Sequence, residues 1–138
     1  MLSFSALAVL LYSAWALALL TCIVLLRVSL VASRKRAPDS FAVSGEDVSP
    51  FSGRLCRAHA NCYENLPAAA GILMVAIVSG HSSATDPLAL WFVAARICQS
   101  LAHLVSTGTA GVSIRFAFLV LQVVIQWIWI IKLAGEWL

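Results

Sequence analysis

At 138 residues, 62% of them hydrophobic and only 11% charged, with a mean hydropathy of +0.95, the chain falls outside the ordinary soluble domains, where about a quarter of residues are charged. The net charge of +3 is small, and the one dense basic run, Arg34-Lys35-Arg36, is too short for a nucleic-acid face and suits a membrane surface. The length fits one domain, residues 1–138, built as an all-α bundle of four membrane spans.

The first span is expected over residues 4–26. Nothing basic precedes it, and it outruns the roughly 7–15 residues of a signal-peptide core, so it reads as a retained membrane helix. Arg27 stands at its far end, placed to snorkel toward headgroups or to turn into the bundle. Tyr12 and Trp15 read as ordinary lipid or packing residues. Residues 32–53 form the long loop, marked by Pro38, Asp39, Gly45, Glu46, Asp47 and Pro50. Asp47 or Ser49, followed by Pro50, is the expected cap of the second helix.

The second span is expected over residues 51–79, with a polar first half and an apolar second half. On a helical wheel Arg54, Arg57, Asn61 and Glu64 fall within an arc of about 80°. An ionisable group in hydrocarbon costs roughly 2.5–3.5 kcal/mol on insertion scales, so such groups face protein or a wet cavity and mark function. Pro67 removes a backbone donor and frees the Tyr63 carbonyl, which predicts a kink between the two halves.

A turn over residues 80–87 leads to the third span, 87–105, with Asp86 and Pro87 at its start. Its Arg96, Gln99, Ser100 and His103 lie within an arc of about 100°. Residues 106–113, with Gly108 and Gly111, read as a loop. The fourth span is expected over 114–134, and its Arg115, Gln122 and Gln126 share an arc of about 40°. Trp127, Trp129 and Trp137 resemble an interfacial aromatic belt. Basic residues crowd the first loop and border the third, so both termini are expected outside the cytoplasm and the polar stripes converge in its half of the bundle. Cys22, Cys56, Cys62 and Cys98 have no disulfide spacing, and His59, His81 and His103 no metal-ligand spacing, so no metal is expected.

The convergent groups are Arg57, Asn61, Glu64, Arg96, His103 and Arg115, with Arg54, Gln99 and Gln122 behind them. Arginine captures carboxylates bidentately, and Glu64 is free for an ammonium or for orienting an arginine. A ligand with more than one carboxylate and an amine satisfies such a set; a simple lipid does not. Structural readings stand beside this one. Arg57, Asn61 and Glu64 can tie subunits together, Arg96 can pair with Glu64, and His103 can be a hydrogen-bonded packing residue. Arg54 can serve the membrane interface, His59 points away from the stripe, and Gln122 and Gln126 read as interhelical glue.

The stretch Arg57-Ala-His-Ala-Asn61-Cys-Tyr-Glu64-Asn-Leu-Pro67 resembles the helix II signature of the MAPEG family, membrane-associated proteins in eicosanoid and glutathione metabolism. Ala95-Arg96-Ile-Cys-Gln-Ser-Leu-Ala-His103-Leu is similar to its helix III pattern, and Arg115-Phe-Ala-Phe to the arginine opening its helix IV. The resemblance implies a four-helix subunit in a homotrimer, with glutathione as co-substrate between neighbouring subunits on the cytoplasmic side. It implies that Arg57, Asn61, Glu64 and Arg96 hold the carboxylates and amine, with His103, Arg54 and Arg27 as further contacts. Arg115 is then the catalytic residue that stabilises the thiolate. The chain departs from the pattern at His103, where a tyrosine is usual, at Cys98, where another aromatic stands, and in a longer Ser106–Ile114 loop.

The expectation is therefore a glutathione transferase, with peroxidase activity in view, acting on a lipophilic small molecule drawn from the surrounding membrane lipids. The first rival is a non-catalytic relative that binds lipid or a partner. The second is a small transporter, which calls for an internal repeat that the sequence does not display. Short loops and the lack of a retrieval tail favour a bacterial inner membrane over the endoplasmic reticulum.

Overall fold

The computed structural model describes residues 3–105 and 108–136. It has four long helices: α1 (Phe4–Ala32), α2 (Pro50–Val78), α3 (Asp86–Val105) and α4 (Thr109–Gly135), with a short 3₁₀ turn at Ser82–Ala84. All four are long and apolar enough to cross a membrane, and no strand occurs among the described residues. The all-α expectation thus holds. Trp137 and part of the expected third loop, Ser106 and Thr107, lie outside the described residues.

Local chemistry sets the helix ends. Ser3 caps α1 by accepting from the Ala6 N–H, and Ser49 caps α2 by accepting from Ser52 at 3.1 Å, with Pro50 in the first turn where its missing donor costs nothing. Both α1 and α2 end in the same backbone motif. Lys35 and Arg34 donate to Leu30 and Val31 after α1, and His81 and Gly80 donate to Ala76 and Ile77 after α2. The left-handed residue is Gly80 in one (φ +78°) and Arg34 in the other (φ +56°).

Two boundaries differ from expectation. Helix α1 continues past residue 26 to Ala32, so Arg27 lies inside the helix and not at its end. Helix α4 begins at Thr109, not 114, so Gly111 is helical and buried. Helix α2 runs through Pro67 as one element.

Helix α3 is the centre of the bundle, packing against α1, α2 and α4. Its Phe92 lies between Tyr12 of α1, 5.9 Å away, and Trp129 of α4, 5.1 Å away, both in tilted ring pairs. Ala8, Ala16, Ala69, Leu73, Ala89 and Ile125 close around this row. Trp129 is fully buried, which corrects its assignment to an interfacial belt; Trp127 remains exposed. At the N-terminal end of α1, Asp86 accepts from the Ser5 N–H at 2.7 Å and from its hydroxyl at 2.6 Å. Buried Ser5 also meets Thr85 at 2.7 Å, fastening α1 to the start of α3.

Candidate functional site

The polar stripes meet one helical turn or more along the bundle from the aromatic row. On α2, the backbone carbonyls of Asn61 and Cys62 each take a donor from another helix. The Tyr12 hydroxyl donates to the Cys62 carbonyl at 2.8 Å, and Arg96 Nη1 donates to the Asn61 carbonyl at 3.2 Å. Tyr12, read as a packing residue, therefore belongs to the polar layer. The available signal was general: a buried phenol needs a partner.

Arg96 is 1% exposed. Its guanidinium lies 5.5 Å from the centre of the Tyr12 ring, and its Nε and Nη2 have no hydrogen-bond partner among the described residues. The Arg96–Glu64 ion pair of the structural reading is not made within the chain; Glu64 is exposed on the outer surface of α2. A buried cation held by one carbonyl and an aromatic face leaves two donors unmet, and such groups are costly unless an acceptor reaches them.

His103 links three helices. Its Nε2 is 3.0 Å from Asn61 Nδ2 on α2, and its Nδ1 is 3.1 Å from Arg115 Nη1 on α4. Gln99 donates to the Arg115 carbonyl at 3.2 Å, and Gln122 donates to Gln99 Oε1 at 3.0 Å. Gln126 donates to Asn65 at 3.1 Å. Gln122 and Gln126 are thus interhelical ties. Asn61, Arg96, His103 and Arg115 form one connected layer, in which two guanidiniums have no carboxylate partner among the described residues.

The other expected contacts lie outside this layer. Arg27 donates to the Ala42 carbonyl at 2.9 Å and sits over Phe41. Arg54 donates to the Leu104 carbonyl at 2.9 Å, one residue beyond His103. Arg57 is paired with Glu46 at 2.8 Å. The loop is shaped for that pair: Gly45 is left-handed at φ +69°, and a Cβ there would meet Cys56 Sγ at 2.7 Å. Both side chains of the pair are more than half exposed, so it contributes about 0–1 kcal/mol and is easily exchanged for another carboxylate.

The wheel explains the split. Asn61 lies on the side of the arc nearer the buried Ala58 and Cys62, whereas Arg57 and Glu64 occupy its far edge and face outward. On the outer surface of α3 and α4 runs an apolar groove of about 580 Å³, lined by Trp91, Ala95, Cys98, Phe118, Leu121 and Ile125 among others.

These features define a multi-pass helical membrane protein with a cationic polar layer inside an otherwise apolar bundle. The MAPEG family model matches residues 6–135, and the chain belongs to that family. It is accordingly a membrane protein of the glutathione and eicosanoid metabolism kind. No curated protein and no solved structure matches the chain.

Proposed function

We propose that this protein is a glutathione-dependent membrane transferase or peroxidase that activates the glutathione thiol against a lipophilic electrophile or hydroperoxide. The observation that carries the reading is Arg96: a fully buried guanidinium with two unmet donors, in the same layer as a second guanidinium, Arg115, that is also without a carboxylate among the described residues. Glutathione has two carboxylates and one amine, the chemistry such a layer lacks. Arg96 and Asn61 would hold it from within. Arg57 would exchange Glu46 for a ligand carboxylate, and Glu64 would meet the amine.

Arg115 is the residue assigned to the sulfur. A free thiol titrates near ~8.5, and an adjacent cation lowers that value. Each unit of lowering requires about 1.4 kcal/mol of preferential thiolate stabilisation, which one charge-assisted hydrogen bond supplies. The thiolate then attacks an electrophilic carbon, forming a C–S bond as a leaving group departs or as the electrons of an activated double bond or strained ring pass to the acceptor and take up a proton. With a hydroperoxide it attacks oxygen, the O–O bond breaks, glutathione sulfenic acid forms and the alkoxide leaves as an alcohol. The outward-facing Arg57 and Glu64 support a homotrimer in which a neighbouring subunit completes the site. The basic first loop supports termini outside the cytoplasm, and the membrane proposed is a bacterial inner membrane.

The test is glutathione capture by the detergent-solubilised chain, with Arg57→Ala and Glu64→Ala as controls, followed by thiolate absorbance. Binding that survives Arg115→Ala while the thiolate signal collapses is the expected result. A second reading, a non-catalytic lipid- or partner-binding relative, is favoured by the engagement of Arg27, Arg54 and Arg57 within the chain. Wild-type protein that binds glutathione without forming thiolate selects it.

A further inference from the structure

We propose that His103 is a positioning residue: a neutral imidazole, protonated on Nε2, that holds the Arg115 guanidinium by accepting from it at Nδ1 and anchors that hold to Asn61 on α2. The proposal rests on the glutathione reading above for its catalytic consequence, and on hydrogen-bond valence for its geometry.

The two ring nitrogens of His103 face Asn61 Nδ2 at 3.0 Å and Arg115 Nη1 at 3.1 Å. Both of those atoms are donors, and a neutral imidazole accepts at one nitrogen only. Arginine cannot become an acceptor, so Nδ1 must present its lone pair to Arg115. Nε2 therefore carries the proton and needs an acceptor. Asparagine supplies one by turning its amide through 180°, which places Oδ1 where Nδ2 stands, an exchange that leaves the shape unchanged. Both ring nitrogens of His103 are then satisfied: Arg115 donates to His103, and His103 donates to Asn61.

An imidazolium does not fit this arrangement, because a second proton on Nδ1 would confront the guanidinium. No carboxylate is within ion-pairing distance of His103 among the described residues to stabilise one. His103 is buried and both of its nitrogens are used, so it has no free polar atom for a ligand. That differs from the expectation of a direct substrate contact. Gln99, which accepts from Gln122 and donates to the Arg115 carbonyl, holds the backbone of the same arginine. Arg115 is thus held twice, at its main chain by α3 and at its guanidinium tip by His103.

The test uses the whole chain in lipid nanodiscs, labelled with ¹⁵N-histidine. The His103 signals, assigned by their loss in His103→Gln, are expected to show a protonated Nε2 and a bare Nδ1, and to change in Arg115→Ala. A protonated Nδ1, or signals indifferent to Arg115→Ala, overturns the proposal. Glutathione binding and thiolate formation are then measured in His103→Phe and His103→Gln. The phenyl variant is expected to bind glutathione within a factor of about two and to lose thiolate by roughly tenfold, the worth of one hydrogen bond to a charged group. Glutamine, which can accept from Arg115 and donate to Asn61, is expected to restore most of it. Loss of binding in His103→Phe with the thiolate fraction of bound ligand unchanged makes His103 a direct contact and overturns the proposal. If wild-type protein binds no glutathione, the proposed function falls, and the ¹⁵N signature alone decides whether His103 holds Arg115.

Discussion

Two layers of the same bundle, one buried throughout and one reaching out to the half-buried Asn61 and Arg115, use opposite chemistry. In the aromatic row, Tyr12, Phe92 and Trp129 meet through ring faces and edges, and small alanines let the helices approach. In the polar layer, Asn61, Arg96, His103, Arg115, Gln99 and Gln122 meet through hydrogen bonds, with Arg96 left short of acceptors. The first layer packs within one chain and leaves one neutral donor, Trp129 Nε1, without a partner among the described residues. The second leaves a buried cation short of acceptors, and a membrane protein that keeps an unmet buried guanidinium is giving up stability for something else. The comparison separates what holds the fold from what awaits a ligand.

The largest effect is expected where that distinction is cleanest. Trp129→Ala removes the largest fully buried side chain and should cost about 3–5 kcal/mol, read as a large fall in thermal midpoint in detergent. Glutathione affinity measured on the protein still folded should stay within a factor of about two of wild type. A loss of affinity as large as the loss of stability would show that the layers are not separable.

Arg96→Met inverts the pattern. It replaces a poorly partnered buried cation by an apolar side chain of similar length, a change that is often neutral or stabilising. The thermal midpoint should hold or rise, while glutathione affinity, read by calorimetry, falls by about 10- to 100-fold. A clear drop in midpoint would make Arg96 a structural element and remove the main support for the ligand reading.

Tyr12 belongs to both layers, so Tyr12→Phe divides them within one side chain. The ring pair with Phe92 and the surface under Arg96 remain, and the bond to the Cys62 carbonyl is lost. A cost of about 1 kcal/mol is expected, with a smaller loss of glutathione affinity than in Arg96→Met. An effect on binding larger than that of Arg96→Met would place the hydroxyl, not the guanidinium, at the centre of the site.

The same contrast shows what the residues alone reveal. The spans follow from hydropathy and length, and the inward stripe of α3 and α4 follows from a 100° step, because Arg96, His103 and Arg115 each lie near the middle of a polar arc. On α2 the arc was legible but its direction was not. Arg57 and Glu64 sit at its edge, and whether an edge faces in or out depends on where the neighbouring helices lie. Tyr12 was hidden by its setting, a span whose few hydroxyls form no polar stripe. Helix ends divide in the same way. The end of α2 was legible to one residue because Gly80 takes the left-handed position; the equivalent position after α1 is Arg34, which gives no such signal. The start of α4 at Thr109 was obscured by Gly108 and Gly111, which read as a loop although only the first lies outside the helix.

The smallest effect belongs to the loop between α1 and α2, outside both layers. Arg36 bridges it, pairing with the Asp47 carboxylate at 2.6 Å and donating to the Asp47 carbonyl. Desolvation pulls the Asp47 carboxyl upward, but the Ala42 backbone N–H and the Arg36 guanidinium outweigh it, and it ends below its ordinary value of 3.8. Because the folded value is the lower one, the loop gains from this pair at every pH above 3.8 and loses that gain as pH falls through the depressed value. Hydrogen exchange at Ser40, Gly45 and Val48, whose amides close the three turns of the loop, should rise beyond the intrinsic rate change only below that point. Asp47→Asn should show the faster exchange already at neutral pH and no further acid step. The thermal midpoint should barely move in either case, since an exposed pair contributes little to global stability. A large global loss on acidification would instead show that the sensitive carboxyl lies outside this loop.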